Sequence, residues 1–269
     1  MQYDPIKKSL GKIVNRSVVS RILFYKLLDI LLLRAWYIKR EIRSFKQRTG
    51  NEADILDAGA GFGQYSYFMS SLSKNWRITA VELKSEEVEA CNRFFSTIQH
   101  PRRTFFEEAN LLTYRKKEGF DLILSVDVME HIPEDDRVFE NFCFSLKPGG
   151  LLLISTPSDR GGSNVHHELD ESFIDEHVRD GYNWDEITKK LRAAGFSRID
   201  RYYSYSRYGT LAWKLSMKYP ISLLNLSKVF FVILPLYYLL TLPLSLCFNL
   251  IDVNKKQQTG TGLIVKAWK

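Results

Sequence analysis

Residues 55–65 read Ile-Leu-Asp-Ala-Gly-Ala-Gly-Phe-Gly-Gln-Tyr, an apolar run closed by an acid and followed by glycines at every second position. Glycine is needed where the backbone turns sharply or passes against a ligand that a Cβ would strike. Helical periodicity follows at 65–73, so the unit is a strand, a tight glycine turn and a helix. Such a unit belongs to folds in which helices cover a sheet.

The rest of the chain extends that pattern. Short apolar strands are expected at 55–58, 78–81, 104–107, 122–126, 151–155, 199–205 and 263–267, with helices at 65–73, 85–98, 135–146 and 184–194. The last two helices are closed by Lys147-Pro148-Gly149-Gly150 and by Gly195, which are C-terminal stop signals. Alternation of this kind implies an α/β fold, a seven-stranded Rossmann-like sheet with helices on both faces and an antiparallel last strand. With 269 residues, 26% charged and 45% hydrophobic, one globular catalytic unit with additions is the simplest organisation.

Two segments lie outside this alternation. Residues 1–50 carry twelve Lys and Arg against three acids, so this segment holds more than the whole net charge of +7. A helical stripe within it, Phe24, Leu27, Leu28, Leu31, Ala35 and Ile38, suits either a membrane surface or a cap over the catalytic site. The second segment, 229–251, is free of charge, and the stretch leading to it from Tyr219 holds only Lys228. One crossing of a bilayer would put the flanking strands on opposite sides, and two would need roughly 40 apolar residues. The expectation is therefore an insert at about 206–258, a helix or bent hairpin in one leaflet, broken near Pro235 and Pro243. A homodimer interface built from the same residues is the competing reading. No leader is expected at Met1, because the first twelve residues lack an apolar run. Cys91, Cys143 and Cys247 are far apart and form no CxxC pair, which argues for free thiols in a cytoplasmic setting.

A dinucleotide-binding loop would place its third glycine at position 64, where Gln64 stands, so that reading is disfavoured. From about residue 54 to 196, with a final strand at 263–267, the sequence resembles the class I S-adenosylmethionine-dependent methyltransferases, in the small-molecule branch related to ubiquinone-type O-methyltransferases. The resemblance implies S-adenosylmethionine as cofactor. It implies that Asp57 anchors the loop and faces the methionine ammonium, that Gly59, Gly61 and Gly63 let the backbone pass beside the cofactor, and that Glu82, beside Leu83, accepts from both ribose hydroxyls. Asn110, beside Leu111, stands where the family commonly has an adenine-binding Asp, and its amide oxygen can still accept that bond. Ser125 and Val126 would flank the methionine part, and His131 would lie near the transferred methyl unless it only orients its turn.

A polar stretch at 158–185 holds His166, His167, Glu168 and His177. Adjacent histidines point in different directions, so no metal is expected, and His166 or His167 reads as a base for a hydroxyl acceptor. The expected activity is O-methylation of a lipophilic small molecule, such as a phenol or quinone precursor, an aryl polyene or another lipid. The enzyme would sit peripherally on the inner face of the membrane. A water-soluble or glycan acceptor, a non-catalytic cofactor-binding scaffold and an RNA methyltransferase are the alternatives. Nucleic acid is not an expected partner, since neither an Asn-Pro-Pro-Tyr nor a Pro-Cys motif is present.

Overall fold

A computed structural model of the chain describes residues 17–160, 178–179, 181–227, 229–255 and 257–269. Two helices, α1 (Val18–Leu31) and α2 (Leu33–Thr49), precede β1 (Glu52–Ala58), α3 (Gln64–Leu72), β2 (Asn75–Glu82), α4 (Ser85–Ile98), β3 (Thr104–Glu108) and β4 (Phe120–Val126). After a 3₁₀ turn at Met129–His131 come α5 (Asp135–Ser145), β5 (Leu146–Pro157), α6 (Trp184–Ala193) and β6 (Arg198–Ser204). The chain then forms α7 (Arg207–Trp213), a π-helical turn at Lys214–Lys218, α8 (Tyr219–Leu226), α9 (Phe230–Asn254) and β7 (Gly262–Trp268).

The strands form one seven-stranded sheet in the order β3-β2-β1-β4-β5-β7-β6. Only β7 runs against its neighbours, pairing antiparallel with β5 and β6. This is the expected Rossmann-like sheet. Strand order reverses between β1 and β4, and Ala58 stands level with Val81 on one side and Ser125 on the other. Open α/β sheets bind ligands outside the carboxyl ends of their strands at such a reversal, and there Gly59, Glu82 and Val126 each come one step beyond the paired trio.

Successive strand residues point to opposite faces, which divides the core. Leu56, Ile123, Leu152 and Val265 pack with α5 and α6 through Val138, Phe142, Ile187 and Leu191. Ile55, Leu122, Leu124 and Leu153 pack with α2 and α3 through Ile38, Ile42, Phe45, Phe68 and Met69. Helix α2 is therefore a full layer of the fold, fixed further by the buried Glu41, which accepts from Tyr202 Oη at 2.8 Å and pairs with Lys266 at 2.9 Å. The stripe expected on residues 24–38 divides: Ala35 and Ile38 are buried, whereas Leu27 is exposed. The cause is an extended residue, Leu32 (φ −97°, ψ 109°), which separates α1 from α2 and turns their faces apart. Helix α5 stops at Ser145, just before Lys147-Pro148-Gly149-Gly150 as expected, and that stop signal is itself taken into β5, where Gly149 (φ +75°) accompanies a register shift against β4.

Between β6 and β7 the chain leaves the sheet as a helical hairpin. The break expected at Pro235 and Pro243 is absent, since α9 runs through both, and the reversal falls between α8 and α9. Pro220 lacks the N–H that would bond back along the helix. The carbonyls of Leu215 and Ser216, left behind it in the π turn, instead accept from Tyr237 Oη at 2.7 Å and Tyr238 Oη at 2.8 Å. These bonds tie α9 to the first leg. At the base, the buried Asp252 accepts from the backbone N–H of Ser206 (3.0 Å) and Gly209 (2.9 Å) and from Tyr37 Oη (2.7 Å).

Candidate active site

The glycine loop runs from the end of β1 to α3 with Gly59, Gly61 and Gly63 all in left-handed conformation (φ +77°, +49° and +80°). Their surroundings differ. A Cβ on Gly59 would lie 2.3 Å from Val128 Cγ2, and one on Gly63 would meet Phe106 at 2.9 Å, whereas one on Gly61 would meet nothing within 4 Å. Gly59 and Gly63 are thus required by packing, and Gly61 faces open space at the sheet reversal.

Asp57, buried at the end of β1, accepts from Ser66 Oγ at 2.6 Å, which fixes the first turn of α3 to the strand. Burial pushes its carboxyl up to about 6, against the lowering effect of Ser66. Glu82 binds the loop from the other side: one oxygen accepts from Gly61 N at 3.0 Å, the other from Leu83 N at 2.9 Å and Lys84 N at 3.2 Å. A carboxylate has about four acceptor sites, so Glu82, with three filled, keeps about one for a ligand hydroxyl. Asn110 is exposed and its Oδ1 accepts from Leu112 N at 2.9 Å; Leu111 beside it is buried. Ser125 Oγ is buried without a protein partner, and Val126 is half-buried next to it.

Beyond Val126 the chain turns through Asp127 (φ +52°), a costly conformation for a residue with a Cβ. Asp127 is held by an ion pair with Arg34 of α2. Burial works against the Arg34 charge, but the facing carboxylate outweighs it and holds the guanidinium above its ordinary value. Tyr65, at the start of α3, buries its hydroxyl beside Arg34, and Tyr205 Oη accepts from Arg34 N at 3.1 Å. Sequence reading missed Arg34, Tyr65, Asp127 and Tyr205. The one available signal was Arg34 interrupting an apolar run in a helix, and no local pattern says that α2 reaches β4.

Glu130 is almost wholly buried, accepts from Thr156 Oγ1 at 3.1 Å, and is pushed up to about 8 by burial and then by the Asp127 charge. His131 is half-buried at the end of the 3₁₀ turn, its backbone N–H donating to Val128 O at 3.0 Å. His166, His167, Glu168 and His177 lie outside the described residues. Among the described residues no three metal-binding side chains gather. Residues 57, 59, 61, 63, 82, 125, 126 and 131 therefore converge on one rim of the sheet.

A family model described as a methyltransferase domain matches residues 31–200, more than half of the chain, and its match begins in α1 and takes in α2. An uncharacterized methyltransferase from Mycobacteroides abscessus is 31% identical over 38% of this chain and 38% of its own length. A ubiquinone biosynthesis O-methyltransferase from Coxiella burnetii is 27% identical over 46% of this chain and 49% of its own. The chain thus spans about half or less of these curated relatives. Among solved structures, phosphoethanolamine N-methyltransferase 2 of Haemonchus contortus in complex with S-adenosyl-L-methionine superposes with a TM-score of 0.62 at 17% identity, over 97% of this chain and 60% of that one. That likeness is one of fold. By its sheet order, its glycine loop and the family match, the chain belongs to the methyltransferase-domain family and has the fold of the class I S-adenosylmethionine-dependent methyltransferases.

Proposed function

We propose that this chain methylates an oxygen of a lipophilic acceptor that reaches the site from a membrane. The observation that carries this reading is the inside-out hairpin on the active-site rim. Three of the four buried residues of α9, Ser245, Asn249 and Asp252, are polar, while Phe231, Val232, Leu236, Leu239, Leu240 and Leu244 are exposed. Ten large apolar residues between Leu226 and Leu250 are exposed. Left in water, each forgoes about 1.5–3 kcal/mol, together as much as the whole stability of a domain, about 5–15 kcal/mol.

Helix α9 is long and apolar enough to cross a membrane, with almost none of its apolar window buried. A crossing conflicts with the topology, because β6 and β7 flank the hairpin and pair with each other. The first leg, continuous from α7 through α8, carries Arg207, Lys214 and Lys218, so its charge-free part is α8 alone, about 12 Å at 1.5 Å per residue against the roughly 30 Å of a hydrocarbon core. The reading is therefore monotopic, in one leaflet, with Trp213, Tyr219, Lys214 and Lys218 suited to the headgroup level. Because β6 runs parallel to β1 and β4, the hairpin leaves from the end of the sheet that carries the glycine loop, Glu82 and Asp127.

The site fits its cofactor: Gly61 offers open space, Ser125 an unpartnered hydroxyl and Glu82 one spare acceptor site. When bound, S-adenosylmethionine supplies an electrophilic methyl on a sulfonium. Asp57 would receive the ammonium, Gly59, Gly61 and Gly63 the methionine backbone, Glu82 and Leu83 the ribose, Asn110 and Leu111 the adenine, and Ser125 and Val126 the methionine side. Alignment of acceptor and methyl in a dry site provides much of the acceleration. A hydroxyl acceptor must also lose its proton. Glu130 is buried and keeps Thr156 and its turn in place, so the base in this reading is His131, with His166 and His167 as the other candidates.

The test is transfer of labelled methyl to a total lipid extract by the wild-type protein and by Gly61→Arg, whose side chain fills the open loop. Label in an organic-soluble product, lost in the variant, is the expected result. Label only in water-soluble product, or a protein that stays dimeric and ignores lipid, refutes the acceptor class.

A further inference from the structure

Helix α1 has two faces with different tasks. A capping box between Ser17 and Ser20 starts it. Its inner face is fastened to the cofactor loop: Tyr25 Oη donates to Phe62 O, between Gly61 and Gly63, and Asp29 accepts from Gln64 Nε2 at 2.7 Å, at the start of α3. Arg21 Nη1 donates to Ala90 O at 2.9 Å, and Phe24 meets Phe62 edge-on at 5.9 Å. Displacing α1 therefore means releasing the loop.

The outer face carries Val19, Leu23, Leu27 and Ile30, which are 75%, 66%, 50% and 41% exposed. At 100° per residue these four fall within about 80° of arc, opposite Arg21 and Tyr25. Two observations say what covers this stripe. Lys7, Lys8, Lys12 and Arg16 precede it in sequence and Lys26 lies exposed beside it, which complements an anionic surface. The stripe also adjoins the hairpin, for α1 ends at Leu31, whose carbonyl accepts from Ser216 Oγ of the π turn at 3.4 Å.

We propose that α1 is a second membrane-docking element, its outer stripe seated on an anionic lipid surface, and that this seating holds the cofactor loop closed and slows cofactor exchange. The inference rests on membrane docking of the hairpin. The stripe is already presented outward while the inner face is latched, so lipid contacts α1 in its closed position and stabilises that position. By reciprocity, bound cofactor then strengthens docking by the same factor.

The experiment follows dissociation of S-adenosylhomocysteine from the full-length protein. It is measured alone, with phosphatidylcholine vesicles, and with vesicles of equal parts phosphatidylcholine and phosphatidylglycerol. Slowing on the order of tenfold on the anionic vesicles is expected. Leu23→Asp and Leu27→Asp should keep the vesicle-free rate and hairpin-mediated flotation but lose the slowing, while Tyr25→Phe should release the ligand faster without vesicles. Vesicle binding with unchanged dissociation in wild type, or slowing retained in both Asp variants, overturns the α1 proposal and leaves the lipophilic-acceptor reading standing. Equal slowing on phosphatidylcholine alone overturns the anionic surface. Failure to bind any vesicle overturns both readings.

Discussion

Exchanging Gly61 for alanine separates a glycine kept for the ligand from one kept for the fold. At φ +49° an alanine costs about 1–2 kcal/mol, and its methyl group meets nothing within 4 Å. For a chain of this size that amounts to roughly 2–8 °C in melting temperature. Gly59→Ala pays a similar backbone cost at φ +77°, and its Cβ would stand 2.3 Å from Val128 Cγ2, adding about 1–3 kcal/mol of overpacking. Calorimetry should therefore rank Gly59→Ala as clearly less stable. Titration with S-adenosylhomocysteine should show Gly61→Ala losing affinity at least tenfold, about 1.4 kcal/mol, because its methyl enters the space where the methionine backbone would pass. Wild-type affinity in Gly61→Ala would remove the cofactor from this loop, and equal melting of the two variants would refute the packing argument at Gly59.

Three further outcomes can be measured. Asp57 is pushed up to about 6 by burial, so a ligand ammonium that needs the carboxylate competes with a proton below that value. Affinity should fall about tenfold per pH unit under pH 6, level off above it, and lose this dependence in Asp57→Asn; an unchanged profile in the variant assigns the titration elsewhere. Asp252→Ala strips Tyr37, Ser206 and Gly209 of a shared buried acceptor, at about 1–3 kcal/mol for each stranded group, and hydrogen exchange should quicken in α7 and the end of α9 before the sheet. Tyr238→Phe leaves Ser216 O without its donor and should cost about 1 kcal/mol. The loss should vanish in a Pro220→Ala background, where the helix can supply its own N–H, and strictly additive effects would show that Tyr238 does not serve that carbonyl.

Much of the sheet was readable because its signals are local. Leu122, Ile123 and Leu124 alternate faces within an apolar run, and the loop glycines stand where left-handed backbone is required. Asp57, Glu82 and Ser125 could be placed because each ends a strand, and parallel strands of one sheet end at one rim. What stayed hidden depends on contacts distant in sequence. Leu32 is an ordinary residue that becomes extended because α1 packs on α4 while α2 packs on the sheet. Arg34 reaches Asp127 across 93 residues, and nothing near either predicts the pair. The first leg hid its solution for a related reason: the proline at 220 is readable in the sequence, but Tyr237 and Tyr238 of α9, whose hydroxyls bond the carbonyls of Leu215 and Ser216 ahead of it, are not.

On the proposed membrane reading, the position of the hairpin lets one chain serve two solvents. Ser204 and Gly262 are register partners at the edge of the sheet, so the ends of the insert already lie side by side. A segment of any length can be closed there for an entropy that grows only with the logarithm of its length, and no strand or core residue has to change. The same edge shares its rim with the glycine loop. An apolar hairpin added at this junction places the reacting end of the sheet against whatever surface takes up the hairpin, while the soluble core keeps its own packing. Had the insert preceded β5, at the opposite end of the sheet, the apolar burden would be equal and the site would face water. The placement thus favours delivery of an acceptor over mere attachment, because attachment alone would be satisfied at either end of the sheet.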